Sequence, residues 1–180
     1  MGTDWAKQSG RFPAKGAEMN IKTVLISLFA VAFATGVLAQ NKISGTQQCK
    51  ATPPTPVAIG DRPNHALAIV TAQCTWSKPI EMAGLQAKDG VDTVATEISG
   101  DVASDRGYYV GTVSNGDKFT VKFSGTSRSK DGKPVSSEGT WHFTDGAGKL
   151  KGLKGKGTFK GTPSADGTMS YQIEGEYSLP

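Results

Sequence analysis

The sequence predicts an all-β protein built as a single antiparallel barrel of about eight strands. After residue 40, apolar and polar residues alternate through most of the chain, glycine-marked turns separate the alternating runs, and no sustained helical period appears. Alternation gives each strand one apolar face, so the strands must close into a barrel or pack as two sheets. We expect a barrel because closure alone removes the exposed edges.

An apolar leader precedes the alternating runs. Residues 19–39 have a basic start at Lys22, an apolar run and a small-residue ending at Ala39, which is the pattern of a secretory signal peptide. The apolar run is shorter than the roughly 20 residues that span a bilayer. We therefore expect cleavage after Ala39, export to the periplasm or the extracellular space, and no membrane span in the mature protein.

This leader divides the chain into three parts. Residues 1–18 are interpreted as an upstream extension or a mis-assigned start, because Met19 opens a more typical leader. Residues 40–180 form the barrel domain, whose length suits one domain. Removal of residues 1–39 takes away four basic and two acidic side chains and leaves a net charge of +2, which does not favour nucleic acid as a partner.

The strand candidates follow one another to the C-terminus. They are residues 43–49, 65–76, 91–98, 107–113, 118–124, 135–143, 155–162 and 168–177. The proline-rich segment 51–56 indicates an extended loop. Residues 77–90 show a weaker pattern, and a short helix is one interpretation there.

The dipeptide Asn115-Gly116 between two alternating runs predicts a hairpin. A two-residue loop would pair Val113 with Lys118 and assign the faces by alternation. The inward set is then Tyr108, Val110, Thr112, Phe119, Val121 and Phe123, and the outward set is Tyr109, Gly111, Val113, Lys118, Thr120 and Lys122. In later strands the inward set is Trp141, Phe143, Met169, Tyr171, Ile173 and Tyr177, whereas Glu138, Thr140 and His142 face outward.

The chain has two cysteines, Cys49 and Cys74, and both follow the leader. In an oxidising compartment such a pair predicts a disulfide, which would stabilise the fold by roughly 3 kcal/mol. No metal site is expected, because His65 and His142 do not lie at ligand spacing from the cysteines.

The C-terminal part resembles a known family. The segments 140–143 (TWHF), 148–159 (GKLKGLKGKGTF), 167–168 (GT) and 174–177 (EGEY) are similar to the same half of bacterial barrels related to allene oxide cyclase and dirigent proteins. Those relatives typically carry a Gly-Gly-Thr-Gly-like turn, where this chain has Asp145-Gly146-Ala147-Gly148. The resemblance implies a calycin-like barrel of eight antiparallel strands with an internal cavity, and it permits a cyclase or isomerase that needs no cofactor.

The same segment is rich in glycine and lysine. Its glycines permit bends, bulges or close packing. Its lysines are Lys149, Lys151, Lys154, Lys156 and Lys160. They indicate either a patch that binds a polyanion or a solvated strand face, and the second interpretation is favoured because no interleaved aromatic set could stack bases.

Candidates for catalysis are scattered. The chain carries no nucleophile elbow, phosphate loop or dinucleotide fingerprint. The acids Asp61, Glu97, Asp101 and Asp105 lie near turns, with no spacing that joins two of them in one reaction.

The inward aromatic side chains are the better indication of function. Tyr108, Trp141, Tyr171 and Tyr177 would give an apolar cavity a few polar tips. We therefore expect a non-catalytic protein that binds a small hydrophobic ligand without a cofactor, or that serves as an envelope module. The alternatives are a cofactor-independent cyclase or isomerase acting on an apolar substrate, and a polyanion-binding module. No number of subunits is predicted.

Overall fold

The structure is a computed structural model that describes residues 40–180, and this part of the chain is all-β as expected. The strands are β1 (Asn41–Ala51), β2 (Val57–Ala58), β3 (His65–Lys78), β4 (Glu81–Met82), β5 (Leu85–Ser99), β6 (Val102–Val113), β7 (Lys118–Lys130), β8 (Lys133–Gly146), β9 (Lys154–Pro163) and β10 (Met169–Ser178). One 3-10 turn, Gly148–Leu150, is the helical content of the described residues. The upstream extension, the leader and its cleavage site, expected at residues 1–39, lie outside them.

Eight long strands close into one antiparallel barrel with up-and-down topology. Each long strand pairs with the long strands before and after it in the chain, β3 pairs with β5, and β10 pairs with β1 to complete the circle. The short strands β2 and β4 add to β3 and β5. Closure pairs the backbone groups that an open sheet would leave at its edges.

Two segments seal one end of the barrel. Residues 79–87 and 147–153 place Met82 and Leu150 in the core, where both are fully buried. They pack with Val113, at the end of β6, and Phe119, near the start of β7, which are also inaccessible to solvent. The other end is bounded by the hairpin between β7 and β8 and by the starts of β6 and β10. The apolar core therefore closes one mouth and leaves room near the other.

Two local predictions are wrong. Residues 77–90 form no helix: β4 and β5 make a tight hairpin whose turn residues, Ala83 and Gly84, both have positive φ. The hairpin between β6 and β7 pairs Thr112 with Lys118, and the Val113 amide donates to the Asp117 carbonyl at 2.9 Å, so residues 114–116 form the loop and the predicted two-residue loop does not form. This one-residue slip keeps Phe119 facing inward but reverses the faces of β6.

The reversal changes which tyrosine points into the barrel. Tyr109 and Val113 are buried, whereas Tyr108 is 48% exposed and Val110 is 42% exposed. On the outer surface, the Lys122 ammonium lies 5.8 Å from the centroid of the Tyr108 ring. Tyr108, predicted to face the cavity, therefore belongs to the outer face.

Glycines inside the barrel make room for aromatic rings. Trp141 of β8 lies across β9 and β10, where a Cβ added at Gly157 or Gly175 would stand 2.6 or 2.5 Å from ring atom Cζ2. The indole Nε1–H donates to the Thr158 carbonyl at 3.1 Å. These glycines therefore allow a large ring to lie flat against the wall and line the interior.

The predicted disulfide is present. Cys49 of β1 and Cys74 of β3 are directly opposite each other in the strand pairing and form one covalent bond, with both side chains buried. Because each sulfur is bonded to the other, neither is a thiolate that could join the nearby carboxyl of Asp92 in a metal site. Among residues 40–180, no helix is long and apolar enough to cross a bilayer.

Candidate ligand cavity inside the barrel

The barrel encloses a cavity of about 320 Å³ that reaches from the sealed end toward the open mouth. This volume is at the lower end of the range for small-molecule sites. Every long strand contributes to its wall, and eight aromatic side chains line it. The wall follows from the alternation of each strand, because every second side chain points inward.

The aromatic side chains form a connected network around the cavity. The Phe119 ring packs against Tyr109 and Phe143, with centroid separations of 5.8 and 5.9 Å. Phe159 contacts Phe123 and Tyr171 edge to face, each with a centroid separation of 6.0 Å. Rings held in this way give the cavity a rigid, largely apolar surface.

A hydrogen-bonded cluster of polar side chains lies toward the open mouth. Thr96 Oγ1 donates to one carboxylate oxygen of Asp105 at 2.8 Å, and Ser127 Oγ donates to the other. Ser127 also lies 3.1 Å from the hydroxyl of Ser137. Asp105 is thus held by two hydroxyl groups, while Arg128 lines the mouth with its side chain exposed.

A second carboxyl, Asp92 of β5, lies in the wall beside the disulfide. Its Oδ2 is 3.4 Å from Cys74 Sγ and 3.9 Å from Cys49 Sγ, and disulfide sulfurs have no hydrogen to donate. Burial raises the pKa of Asp92 to about 7, because an apolar environment disfavours the charged carboxylate. Asp92 therefore gains or loses its proton near neutral pH.

Polar groups on the neighbouring strands surround this carboxyl. Tyr109 is directly opposite Asp92 in the pairing of β5 with β6, and its hydroxyl accepts a hydrogen bond of 3.2 Å from Trp76 Nε1. Gln47 on β1 is 6% exposed, and its amide is near the Tyr109 hydroxyl, although its Nε2 makes no well-aligned hydrogen bond within the described barrel. A buried amide whose hydrogen bond is poorly aligned can also bond to a ligand or a bound water at this part of the wall.

The two tyrosine hydroxyls in the cavity remain protonated at neutral pH. Burial is the main cause that raises the pKa of Tyr109, and burial with the nearby charge of Asp92 raises that of Tyr171 to about 12. Both groups can donate or accept hydrogen bonds, but neither is a base near pH 7.

The four aromatic residues predicted to bind a ligand lie in three different places. Trp141 and Tyr171 line the cavity. Tyr177 is buried near the sealed end, where its hydroxyl accepts a hydrogen bond of 3.0 Å from the Ala83 amide. Tyr108 is on the outer face, so its predicted inward orientation is wrong. Whether Trp141 and Tyr171 bind a ligand stays a prediction.

Sequence reasoning missed Asp92 and Gln47. Asp92 on β5 and Gln47 on β1 both point inward. The two faces of each strand do not differ clearly in polarity around them, so alternation does not mark either side chain as buried. Their positions opposite Tyr109 and Trp76, respectively, could be read only from the strand pairing.

Of the acids predicted to lie near turns, Asp61 and Glu97 are brought together by the fold, on either side of His65. His65 is buried under the loop before β3, with Nδ1 2.5 Å from Asp61 and Nε2 3.1 Å from Glu97. These hydrogen bonds raise the pKa of His65, the bond to Asp61 contributing most. This trio lies outside the cavity lining, whereas Asp105 lies within it.

The lysines of β9 point to solvent beside acidic side chains. Lys156 is in register with Glu176 of β10, and Lys160 with Glu138 of β8. Alternation of both charge signs on this surface is typical of a solvated strand face more than of a polyanion site.

Comparison with solved structures supports the fold. A conserved protein of unknown function from Rhodopseudomonas palustris aligns with 77% of this chain and 98% of its own chain, with a TM-score of 0.52 and 11% sequence identity. This likeness shows a shared architecture, and one architecture hosts many functions.

Two further structures align with lower scores. A protein of unknown function from the DUF3224 family of Shewanella oneidensis MR-1 has a TM-score of 0.45 and 16% identity over 79% of this chain and all of its own. A pterocarpan synthase dirigent protein has a TM-score of 0.44 and 12% identity over 86% of this chain and all of its own. No protein-family model matches the chain, and no curated protein matches it.

Proposed function

We propose that this protein binds a small, largely apolar molecule inside its barrel. The observation that carries the proposal is the cavity of about 320 Å³, whose wall combines eight aromatic rings with a few polar groups. Sites of this kind bind ligands mainly through burial of apolar surface and use the polar groups to set orientation. A packed interior would leave no such space.

The proposal includes export and a family relationship. The Cys49–Cys74 disulfide fits a protein that matures in an oxidising compartment, as the leader at residues 19–39 predicts. The segment 140–177 and the barrel topology support a distant relationship to barrels similar to allene oxide cyclase and dirigent proteins.

Binding can be tested with a variant that fills the cavity. Val94 is a half-buried residue of the cavity wall, so Val94→Trp places a bulky ring in the space proposed for the ligand. Thr93→Trp is the matched control, because Thr93 is the next residue of β5 and points to solvent. Each protein, prepared with its disulfide intact, would be titrated with 1-naphthalenemethanol by calorimetry and by tryptophan fluorescence.

We expect saturable binding to the parent protein and to the Thr93→Trp variant, and at least tenfold weaker binding to Val94→Trp with unchanged far-ultraviolet circular dichroism. Equal affinity for all three proteins would place the probe elsewhere and refute the cavity as its site. No saturable binding of this probe or of a panel of neutral lipids and aromatics would support an envelope module instead.

A cofactor-independent isomerase or cyclase is the second candidate, and Asp92 favours it. A buried acid that titrates near neutrality can move a proton to or from a bound molecule. Incubation with compounds that bind, followed by mass spectrometry and proton–deuterium exchange, would detect such a step. Exchange that persists in Asp92→Asn would contradict the role of this residue.

A further inference from the structure

The charged groups that line the cavity are unevenly distributed. Within the described barrel they are Asp92, Asp105 and Arg128. Arg128 is at the open mouth with its side chain exposed, whereas both carboxyl groups face the interior. The space where a ligand would lie is therefore bordered by acidic groups and by no buried cation of the described residues.

The two carboxyl groups differ in their partners. Asp105 accepts hydrogen bonds from the hydroxyls of Thr96 and Ser127, which stabilise its charge. Asp92 receives no N–H or O–H hydrogen bond from residues 40–180, because its near neighbours are the two disulfide sulfurs. A buried carboxylate without a donor is unfavourable, and a cation at this position would remove that cost.

The surroundings of Asp92 suit an organic cation. Tyr109 is directly opposite Asp92 in the strand pairing, its ring lies over Gly90 of the same strand as Asp92, and its hydroxyl accepts a hydrogen bond from Trp76. Faces of tryptophan and tyrosine attract ammonium groups within about 6 Å. The amide of Gln47, which is opposite Trp76 in the pairing of β1 with β3, is near the Tyr109 hydroxyl and has no other side-chain partner in the described part of the chain, so it offers one more polar contact to a bound molecule.

We propose that the cavity ligand is an arylalkylamine in its cationic form, with the ammonium group paired to Asp92 and the apolar ring system held among the aromatic side chains. This inference rests on the proposed function and names the chemical class of ligand. Carboxylate ligands such as fatty acids are disfavoured, because their charge would meet Asp92 and Asp105. A neutral ligand would fill the apolar space but leave Asp92 without an ionic partner.

Three probes of nearly equal size separate these cases. They are 1-naphthylmethylamine, 1-naphthalenemethanol and 1-naphthoate, which carry a positive charge, no charge and a negative charge on the same ring system. Binding would be measured by calorimetry at pH 8 with the disulfide-intact protein. We expect the amine to bind at least tenfold more tightly than the alcohol, and the carboxylate to bind least tightly.

Asp92→Asn should reduce the affinity for the amine to that for the alcohol, while the affinity for the alcohol changes less than threefold. Asp89→Asn is the matched control, because Asp89 is an exposed acid of the same strand, and it should keep the preference. In the parent protein the affinity for the amine should fall between pH 8 and pH 6, as Asp92 takes up its proton. A melting curve for each variant confirms that the protein under test is folded.

The outcomes distinguish the two proposals. Binding of the alcohol with no preference for the amine, or a preference that survives in Asp92→Asn, would overturn the amine assignment and leave the binding function intact. Failure of all three probes, together with the wider panel of neutral compounds, would refute the binding function and this inference with it. A preference for the amine that is lost only in Asp92→Asn supports both.

Discussion

Replacement of Asp92 by asparagine should stabilise the protein increasingly as pH rises. The pKa of Asp92 is raised from 3.8 to about 7 by burial, so the folded state binds this proton more tightly than the unfolded state does. The contribution of this bound proton to the free energy of unfolding is therefore fully present below pH 3.8 and is lost as pH rises through about 7. At about 1.36 kcal/mol per pH unit, this loss amounts to roughly 4 kcal/mol for the parent protein.

Asparagine does not ionise, so the free energy of unfolding of Asp92→Asn should lack this loss. Its buried amide can cost about 1–3 kcal/mol, but that cost is the same at every pH. The decisive quantity is therefore the difference between variant and parent, measured by denaturant unfolding from pH 4 to pH 8.5. The free energy of unfolding of Asp92→Asn minus that of the parent should rise by roughly 4 kcal/mol over this pH range, and most of the rise should occur below pH 7.5.

Asp89→Asn removes an exposed acid from the same strand and should change stability by about 0.5 kcal/mol or less. Differences caused by other titrating groups cancel, because parent and variant share them. A difference between Asp92→Asn and the parent that stays constant across this pH range would refute the assignment of Asp92 as a buried acid with a raised pKa.

Three further predictions concern the rest of the fold. Replacing Cys49 and Cys74 together by serine should lower the free energy of unfolding by about 3 kcal/mol, as denaturant unfolding would show, and an unchanged value would refute a structural role for the bond. Gly157→Ala should destabilise by about 2–4 kcal/mol in the same assay, because its Cβ would lie 2.0 Å from the Glu174 carbonyl oxygen, and a neutral effect would show that the wall can shift. His65 should titrate above 6.5 in an NMR pH series, because two carboxylates accept from its ring, and its stabilising contribution should disappear as pH rises through that raised value. A midpoint at or below 6.5 would contradict this arrangement.

The sequence predicts a strand face well where the two faces differ strongly. In β7, Phe119 and Val121 alternate with Lys118 and Lys122, and the structure buries the first pair and exposes the second. In β8 the same alternation of apolar and polar residues correctly predicted that Trp141 and Phe143 face inward and that His142 faces outward. Burial of the apolar face and hydration of the lysines both favour the same register, because a one-residue slip would expose the apolar side chains and bury the lysines.

The prediction failed in β6 because its contrast is weak. Tyr108 and Tyr109 are adjacent aromatics, so alternation permits either to face inward, and the outcome depends on the length of the loop. In the structure the Asp117 carboxylate accepts hydrogen bonds from the Asn115 side chain and from the Lys149 amide. The contact with Lys149 is distant in sequence, and it helps to fix a longer connection than the Asn-Gly pair predicts.

Asp92 shows why the central part of the site was beyond sequence reasoning, and also why it is informative. Its strand carries Val91 on the outer face and Val94 on the inner face, so nothing local marks the carboxyl as buried. Replacing a buried acid that weakens the fold at neutral pH is an easy route to greater stability, and such residues are typically retained at functional sites. A bound ammonium group would pair with the carboxylate and lower its pKa, so saturating amine should reduce the pH-dependent loss of stability in the parent protein and leave the pH dependence of Asp92→Asn unchanged. Burial of the Asp92 carboxylate without a hydrogen-bond donor would then explain both observations: the loss of stability of the empty barrel as pH rises, and the preference of the cavity for a cationic ligand.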